Sequence, residues 1–455
     1  MIELDNRHSL FRKSRGRSNP TRILLILALI IAGLYIWLGV ERGDIKEAFS
    51  PTPTATRMPS SFALEAETQF KAGNLEAAIR AYQQAAALDP NDGELIAELA
   101  RIQTYYSGLS NTDADARARL TEAKKNIDLA VEAEPESSFV WAVRAFVYNW
   151  NANPTHAGEQ AGAIMAEAER SAVTALQLDS QNALALAYYA EILIDQLKYE
   201  QAFQNIRQAL EKDSSLMDVH RVNAFVLESS AEYEAAIEEY KKAIEITPNF
   251  TPLHIRIGTN YRTLGLRSTN EVRAKEMYDN ALLYYEMAVN INNRIGVKDP
   301  VPYLAISRTY SQMGEFFSAA LNVRTALDMQ PSNPDIYGQL GLVYFRARNY
   351  ESAIPALKCA VYGCTAEESC EVRRCNEEVD LPLEIAGLPL TDGSVLYYYT
   401  YGSVLAGMHR PGLDYCERAV EVLAEVRTRF GSDTEIMAII EPSEAICDSF
   451  NTTSQ

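Results

Sequence analysis

Six cysteines are the residues most able to do chemistry here: Cys359, Cys364, Cys370, Cys375, Cys416 and Cys447, all in the last 97 positions of 455. The first four fall in "CAVYGCTAEESCEVRRC", with spacing C-x4-C-x5-C-x4-C. Zinc knuckles and ribbons use C-x2-C pairs, whose tight turn aims two thiolates at one ion, so this spacing disfavours a metal. A C-x-x-C redox pair is also missing. An even count of cysteines in an oxidising compartment instead predicts disulfides. Position in the chain pairs Cys416 with Cys447, clipping down a last helix. The remaining four would then close on one another around an insertion at 362–394.

Catalytic patterns are scarce. The histidines are His8, His156, His220, His254 and His409, with no His-Glu-x-x-His, no Gly-x-Ser-x-Gly and no phosphate-binding glycine loop. His220 and His254 lie 34 residues apart. A stacked metal pair is conceivable, but closed sites want three or four ligands, and packing is the better reading. An enzyme hidden in the insertion would have only Ser369 and Ser394, beside threonines, as hydroxyl nucleophiles and no histidine base. No catalysis, cofactor or metal is expected.

Whether the cysteines can oxidise depends on where they reside, and the other end of the chain bears on that. Residues 23–40, "ILLILALIIAGLYIWLGV", hold no charge, and as a helix they span about 27 Å, close to the apolar thickness of a bilayer. Six basic residues against two acidic ones precede them within residues 1–22, which by the positive-inside rule keeps that flank cytoplasmic. The following "WLGVERGDI" offers no small-x-small cleavage site, so the stretch reads as a retained signal anchor, with the bulk of the chain outside the cytoplasm. A bacterial plasma membrane suits this layout. Residues 41–61 form a Pro/Thr-rich spacer. The chain carries a net charge of −19, which argues against nucleic-acid binding, since that needs clustered Lys and Arg.

Between these ends the sequence repeats. "GNLEAAIRAYQQAAALDPND" at 73–92 returns as "AEYEAAIEEYKKAIEITPNF" at 231–250, both in the frame Ala-x3-Tyr-x2-Ala-x4-Pro. A second segment precedes such units, as in Tyr337-x2-Leu340-Gly341-x2-Tyr344 and in "HIRIGTNYR" and "WAVRAFVYN". On these residues the chain resembles the tetratricopeptide repeat family over roughly residues 59–430. The helix-ending position recurs at 90, 135, 180, 214, 248, 293, 331 and 365. Three of the steps are 45 residues instead of about 34. Eleven extra residues are three helical turns, so a short polar loop and a lengthened second helix are expected there.

The expected fold is all-α: a right-handed α-solenoid of about nine helix pairs with a C-terminal capping helix, preceded by one transmembrane helix. Repeats 1–8 occupy 62–361, the Cys-rich insertion 362–394, a degenerate ninth repeat 395–430, and the cap and tail 431–455. The resemblance implies a concave groove for peptide or protein partners. Carried over by register, it includes Phe146, Asn149, Trp150, Arg221, Phe225, Glu228, Arg262, Arg308, Phe345 and Arg346. The Lys/Asn carboxylate clamp of chaperone-binding members has no match at these positions. The functional expectation is a membrane-anchored protein-interaction scaffold. An assembly factor of an envelope machine (secretion, pilus or wall synthesis) and a homo-oligomeric surface protein are the alternatives.

Overall fold

The structure, a computed structural model, describes residues 19–42, 57–110, 112–376, 380–410 and 412–453. The basic tail before residue 19 and residues 43–56 of the expected spacer lie outside the described residues. The chain divides into two compact units, Met1–Arg57 and Met58–Gln455.

In the first unit, α1 (Pro20–Glu41) starts where proline sets the helical φ without losing a needed donor. Its stretch Pro20–Gly39 has a mean hydropathy of 2.3 and buries none of its residues. It is long and apolar enough to cross a membrane.

The second unit is built from antiparallel helix pairs. They are α2 (Pro59–Lys71) with α3 (Leu75–Leu88), α4 (Gly93–Ser107) with α5 (Asp113–Ala133), and α6 (Ser138–Asn151) with, past the short α7 (Pro154–Ala157), α8 (Ala161–Leu178). Next come α9 (Ala183–Asp195) with α10 (Tyr199–Lys212), α11 (Met217–Ser229) with α12 (Tyr233–Ile246), and α13 (Thr251–Arg267) with α14 (Glu271–Ile295). The series continues with α15 (Val301–Met313) and α16 (Phe316–Met329), then α17 (Pro334–Arg346) and α18 (Tyr350–Val361). After α19 (Ala366–Arg373) in the insertion, α20 (Val395–Met408) pairs with α21 (Cys416–Phe430), and α22 (Thr434–Thr453) packs on both.

The repeat frame has a visible physical basis. Six second helices end at Leu88, Ala133, Leu178, Lys212, Ile246 and Met329, each two residues before the recurring position. At four of these ends a ring then fastens the next helix. Trp141 Nε1 donates to the Pro135 carbonyl at 2.8 Å and the Tyr337 hydroxyl to that of Pro331 at 2.9 Å. His220 and His254 Nε2 sit 2.9 Å from the carbonyls of Ser214 and Pro248. A carbonyl only accepts, so Nε2 carries the proton in both. The two histidines thus serve the same link as a tryptophan and a tyrosine. Among the described residues no group of three or more His, Cys, Asp or Glu could hold a metal.

Four residues after that ring position comes the motif glycine. A Cβ on Gly258 would lie 2.5 Å from the Tyr285 ring, and one on Gly341 2.5 Å from Leu357 Cγ. Glycine here lets paired helices approach closely. The three long steps lengthen the second helices to 21, 18 and 25 residues, against 14 in α3, α10, α12 and α16. In the third case the first helix, α13, also grows, to 17 residues.

The insertion contains the strands β1 (Gly363–Cys364) and β2 (Ile385–Ala386), paired antiparallel. The structure pairs Cys359 with Cys364, Cys370 with Cys375, and Cys416 with Cys447. The first two bridges each join residues five apart, so they do not close around the insertion as expected from sequence. The hairpin does that work, because β1 already brings the far side of the insertion back to α18. The third bridge spans 31 residues and ties α22 to α21. By loop entropy it stabilises this end by about 3–4 kcal/mol. Ser369 donates to the carbonyls of Ala366 and Leu383, and Ser394 to that of Pro389, so both hydroxyls face backbone acceptors.

Replacing Gly341 by Ala tests the close approach. Helix propensity alone favours alanine by about 1 kcal/mol, whereas overpacking against Leu357 costs about 1–3 kcal/mol. Denaturant unfolding of the variant is expected to show a net loss of stability, and a gain would refute the packing role.

Candidate functional site

Two first helices of the solenoid bury charged side chains. α9 reads "ALALAYYAEILID" and buries Glu191; α11 reads "MDVHRVNAFVLES" and buries Asp218 and Arg221. Buried charges persist only when paired and hydrogen-bonded. The partners come from distant repeats.

Asp218 accepts hydrogen bonds from the hydroxyls of Tyr105 and Tyr188, the latter at 3.0 Å, and pairs with Arg101 at 2.9 Å. Arg101 and Tyr105 lie on α4, more than a hundred residues earlier in sequence. Arg221 forms a two-pronged pair with Glu191 at 2.6 and 3.2 Å, and its Nε donates to the Tyr105 oxygen at 3.1 Å. Its guanidinium lies over the rings of Tyr105 and Phe146. Burial alone would lower the pKa of Arg221, but Glu191 and Asp218 outweigh it and hold the guanidinium firmly charged.

The first repeat also touches the sixth. The Asn249 side-chain amide donates to the Lys71 carbonyl at 3.1 Å, and Phe70 packs on Phe250 at 5.6 Å between centroids. Gly73, at φ +86°, has no room for a Cβ, which would meet the Asn249 carbonyl at 2.3 Å. Asn249 is thereby held in a contact between repeats.

The superhelical turn formed by the first five repeats therefore closes on the start of the sixth, α13, around a cavity of about 820 Å³. Tyr105, Trp150, Glu191, Arg221, Phe225 and Phe250 are among its walls. The lengthened repeats wall it too: Ala116 and Leu120 from α5, His156 from α7, Met165 from α8. Trp150 Nε1 donates to Glu191 at 3.1 Å, and Asn149 donates to Asp195 at 2.7 Å. Surrounding protein, with the charge of Glu191 beside it, pushes the Asp195 carboxyl up to about 6.

The structure divides the ten groove residues expected from sequence. Asn149, Trp150, Arg221 and Phe225 line this cavity, while Phe146 is buried behind it against Tyr105, Trp150 and Tyr188. Glu228 lies outside the lining and accepts from Tyr240, Asn260 and Arg256. Arg262, Arg308 and Arg346 line a second cavity of about 360 Å³, and Phe345 packs on Tyr350. Glu191, Asp195, Asp218 and Arg101 were missed by register. An acid amid the apolar run of α9 was the signal for the first.

Comparison with known proteins agrees with this architecture. The tetratricopeptide repeat family matches residues 60–92, 224–250 and 304–365. The chain therefore carries tetratricopeptide repeats, which generally mediate protein–protein interaction. A BBSome complex member, BBS4 of Bos taurus, is 30% identical over 132 residues, covering 28% of this chain and 22% of that protein. The human antiviral innate immune response effector IFIT1 is 24% identical over 273 residues, 55% of each chain. The matches thus span about half or less of these relatives. A solved structure of a human IFIT1 dimer with PPP-AAAA superposes with a TM-score of 0.53 at 17% identity, covering 86% of this chain and 91% of that one. At that identity the likeness is one of fold.

The network predicts an asymmetric mutational response. Arg221→Met leaves Glu191 buried without its counter-charge and is expected to cost about 3–5 kcal/mol in denaturant unfolding. Adding Glu191→Gln should recover most of that loss; no recovery would mean the pair is not what the site depends on.

Proposed function

We propose that this protein is a membrane-anchored scaffold that binds peptide or protein partners through its solenoid and has no catalytic activity. The observation that carries the reading is the cavity of about 820 Å³, walled by aromatic and charged side chains from five successive repeats. Concave sites with an apolar lining and a few convergent polar groups are where ligands bind. Its size suits the side chains of an inserted segment.

In this proposal α1 is a signal anchor in a plasma membrane of bacterial type, with the solenoid on the extracytoplasmic side. Support comes from the basic flank before the apolar helix and from six cysteines placed to form three bridges, which persist in oxidising compartments. Net charge does not exclude nucleic acid, contrary to the expectation from sequence. A whole-chain value of −19 says nothing of local fields, and three arginines gather on one cavity. The human neighbour of this fold was solved with PPP-AAAA and as a dimer, which keeps both RNA and self-association among the outcomes to be tested.

Proximity crosslinking from the folded domain in its own host, read by mass spectrometry, tests the scaffold. Recovery of distinct protein partners is expected, and recovery of only its own copies would replace the scaffold with a homo-oligomeric surface role. On the same material, intact mass before and after reduction should differ by six hydrogens. Six free thiols would overturn the extracytoplasmic placement.

A further inference from the structure

Some arginines of this acidic chain are held by carboxylates. Arg101, Arg144, Arg221, Arg256 and Arg427 each pair with a carboxylate. Arg262, Arg308 and Arg346 have no acidic partner within 4 Å among the described residues, and what sets them apart is that they converge. They stand on α13, α15 and α17, the first helices of three successive repeats, and line the same cavity of about 360 Å³. No carboxylate is among its lining residues. Asp335 lies behind the wall, accepting from Gln339 and from the Tyr397 hydroxyl. Arg308 reaches it only through Gln339, whose oxygen accepts from Arg308 at 3.1 Å.

A second observation is independent of the charges. Arg262 Nε, Ser311 Oγ and Gln312 Oε1 are buried and lack any hydrogen-bond partner, and all three residues line this cavity. Buried polar atoms in folded proteins are nearly always satisfied. An amide flip would turn the Gln312 side-chain NH2 to where its oxygen stands. The cavity then presents donors from three guanidinium groups, a hydroxyl and an amide.

We propose that this second cavity is a binding site for a carboxylate-bearing, acidic segment of a peptide, held by Arg262, Arg308 and Arg346. The inference rests on the scaffold reading and gives it a ligand class. Arginine forks match carboxylates in two-pronged, charge-assisted pairs. The rest of the chain selects for a compact anion: a long polyanion would gain this site but meet repulsion along the remaining acidic surface, whereas a peptide with a few carboxylates would not. The lining includes one aromatic ring, Tyr397, which is buried against the backbone at Gly338 and leaves no stacking platform for successive bases.

Fluorescence anisotropy with the full chain in detergent micelles tests the site, using a labelled oligoglutamate peptide, its oligoglutamine counterpart and a short oligoadenylate RNA. Oligoglutamate should bind more tightly than oligoglutamine by about tenfold or more, and weaken as salt is raised. Arg346→Gln, at an exposed position, should weaken it several-fold without altering the thermal unfolding profile, and Arg346→Lys should restore part of the loss. Arg207→Gln, an equal change of charge on α10, should leave binding unchanged. Equal affinity for the two peptides, or equal losses in the Arg346 and Arg207 variants, would overturn the proposal. Preference for the RNA would overturn the peptide assignment. If crosslinking recovers protein partners while oligoglutamate fails to bind, this site alone falls and the scaffold stands.

Discussion

The fold of the larger unit depends on where Asp218 finds its partners. A carboxylate buried among apolar helices is costly unless several donors satisfy it, and most of its donors come from α4. Arg101 and Tyr105 can reach it only if the intervening repeats rotate through the right angle. Arg221 and Glu191 extend the same network and share Tyr105 with it. Local packing sets the twist from one repeat to the next, whereas this network registers the accumulated twist. Hydrophobic contacts such as Phe70 on Phe250 then cover the seam.

Much of this was legible in the sequence because repeats report their own period. The helix ends, the glycines at helix-crossing points and the lengthened second helices follow from local rules: a stop residue, a missing Cβ, a face conserved after three added turns. The pairing of Cys416 with Cys447 could be read from position along the chain, whereas the local pairing of the other four could not. It depends on a two-residue hairpin too short to show any alternation.

The binding surface was less legible, for a geometric reason. Register tells which side chains face inward, but a small change in angle per repeat decides whether inward-facing residues line an open groove or fill a closed turn. Phe146 and Arg221 had the right face and ended up buried, while Arg308 and Arg346 kept the same face and stayed exposed. Glu191 and Asp218 escaped notice because acids on an acidic chain look like solvated surface. Only the apolar company that Glu191 keeps on α9 marked it as internal.

The contact between Asn249 and Lys71 also bears on how such a protein can evolve. Open solenoids gain and lose units by duplication and deletion, since each unit touches only its neighbours. Here residues 178 apart in sequence meet directly. Losing or adding one unit among the first five would carry Lys71 past Asn249, separate Arg101 from Asp218 and abolish the cavity outright. The copy number of the front half is therefore fixed by geometry, whereas the later repeats, which among the described residues make no such long-distance closure, escape that constraint on number.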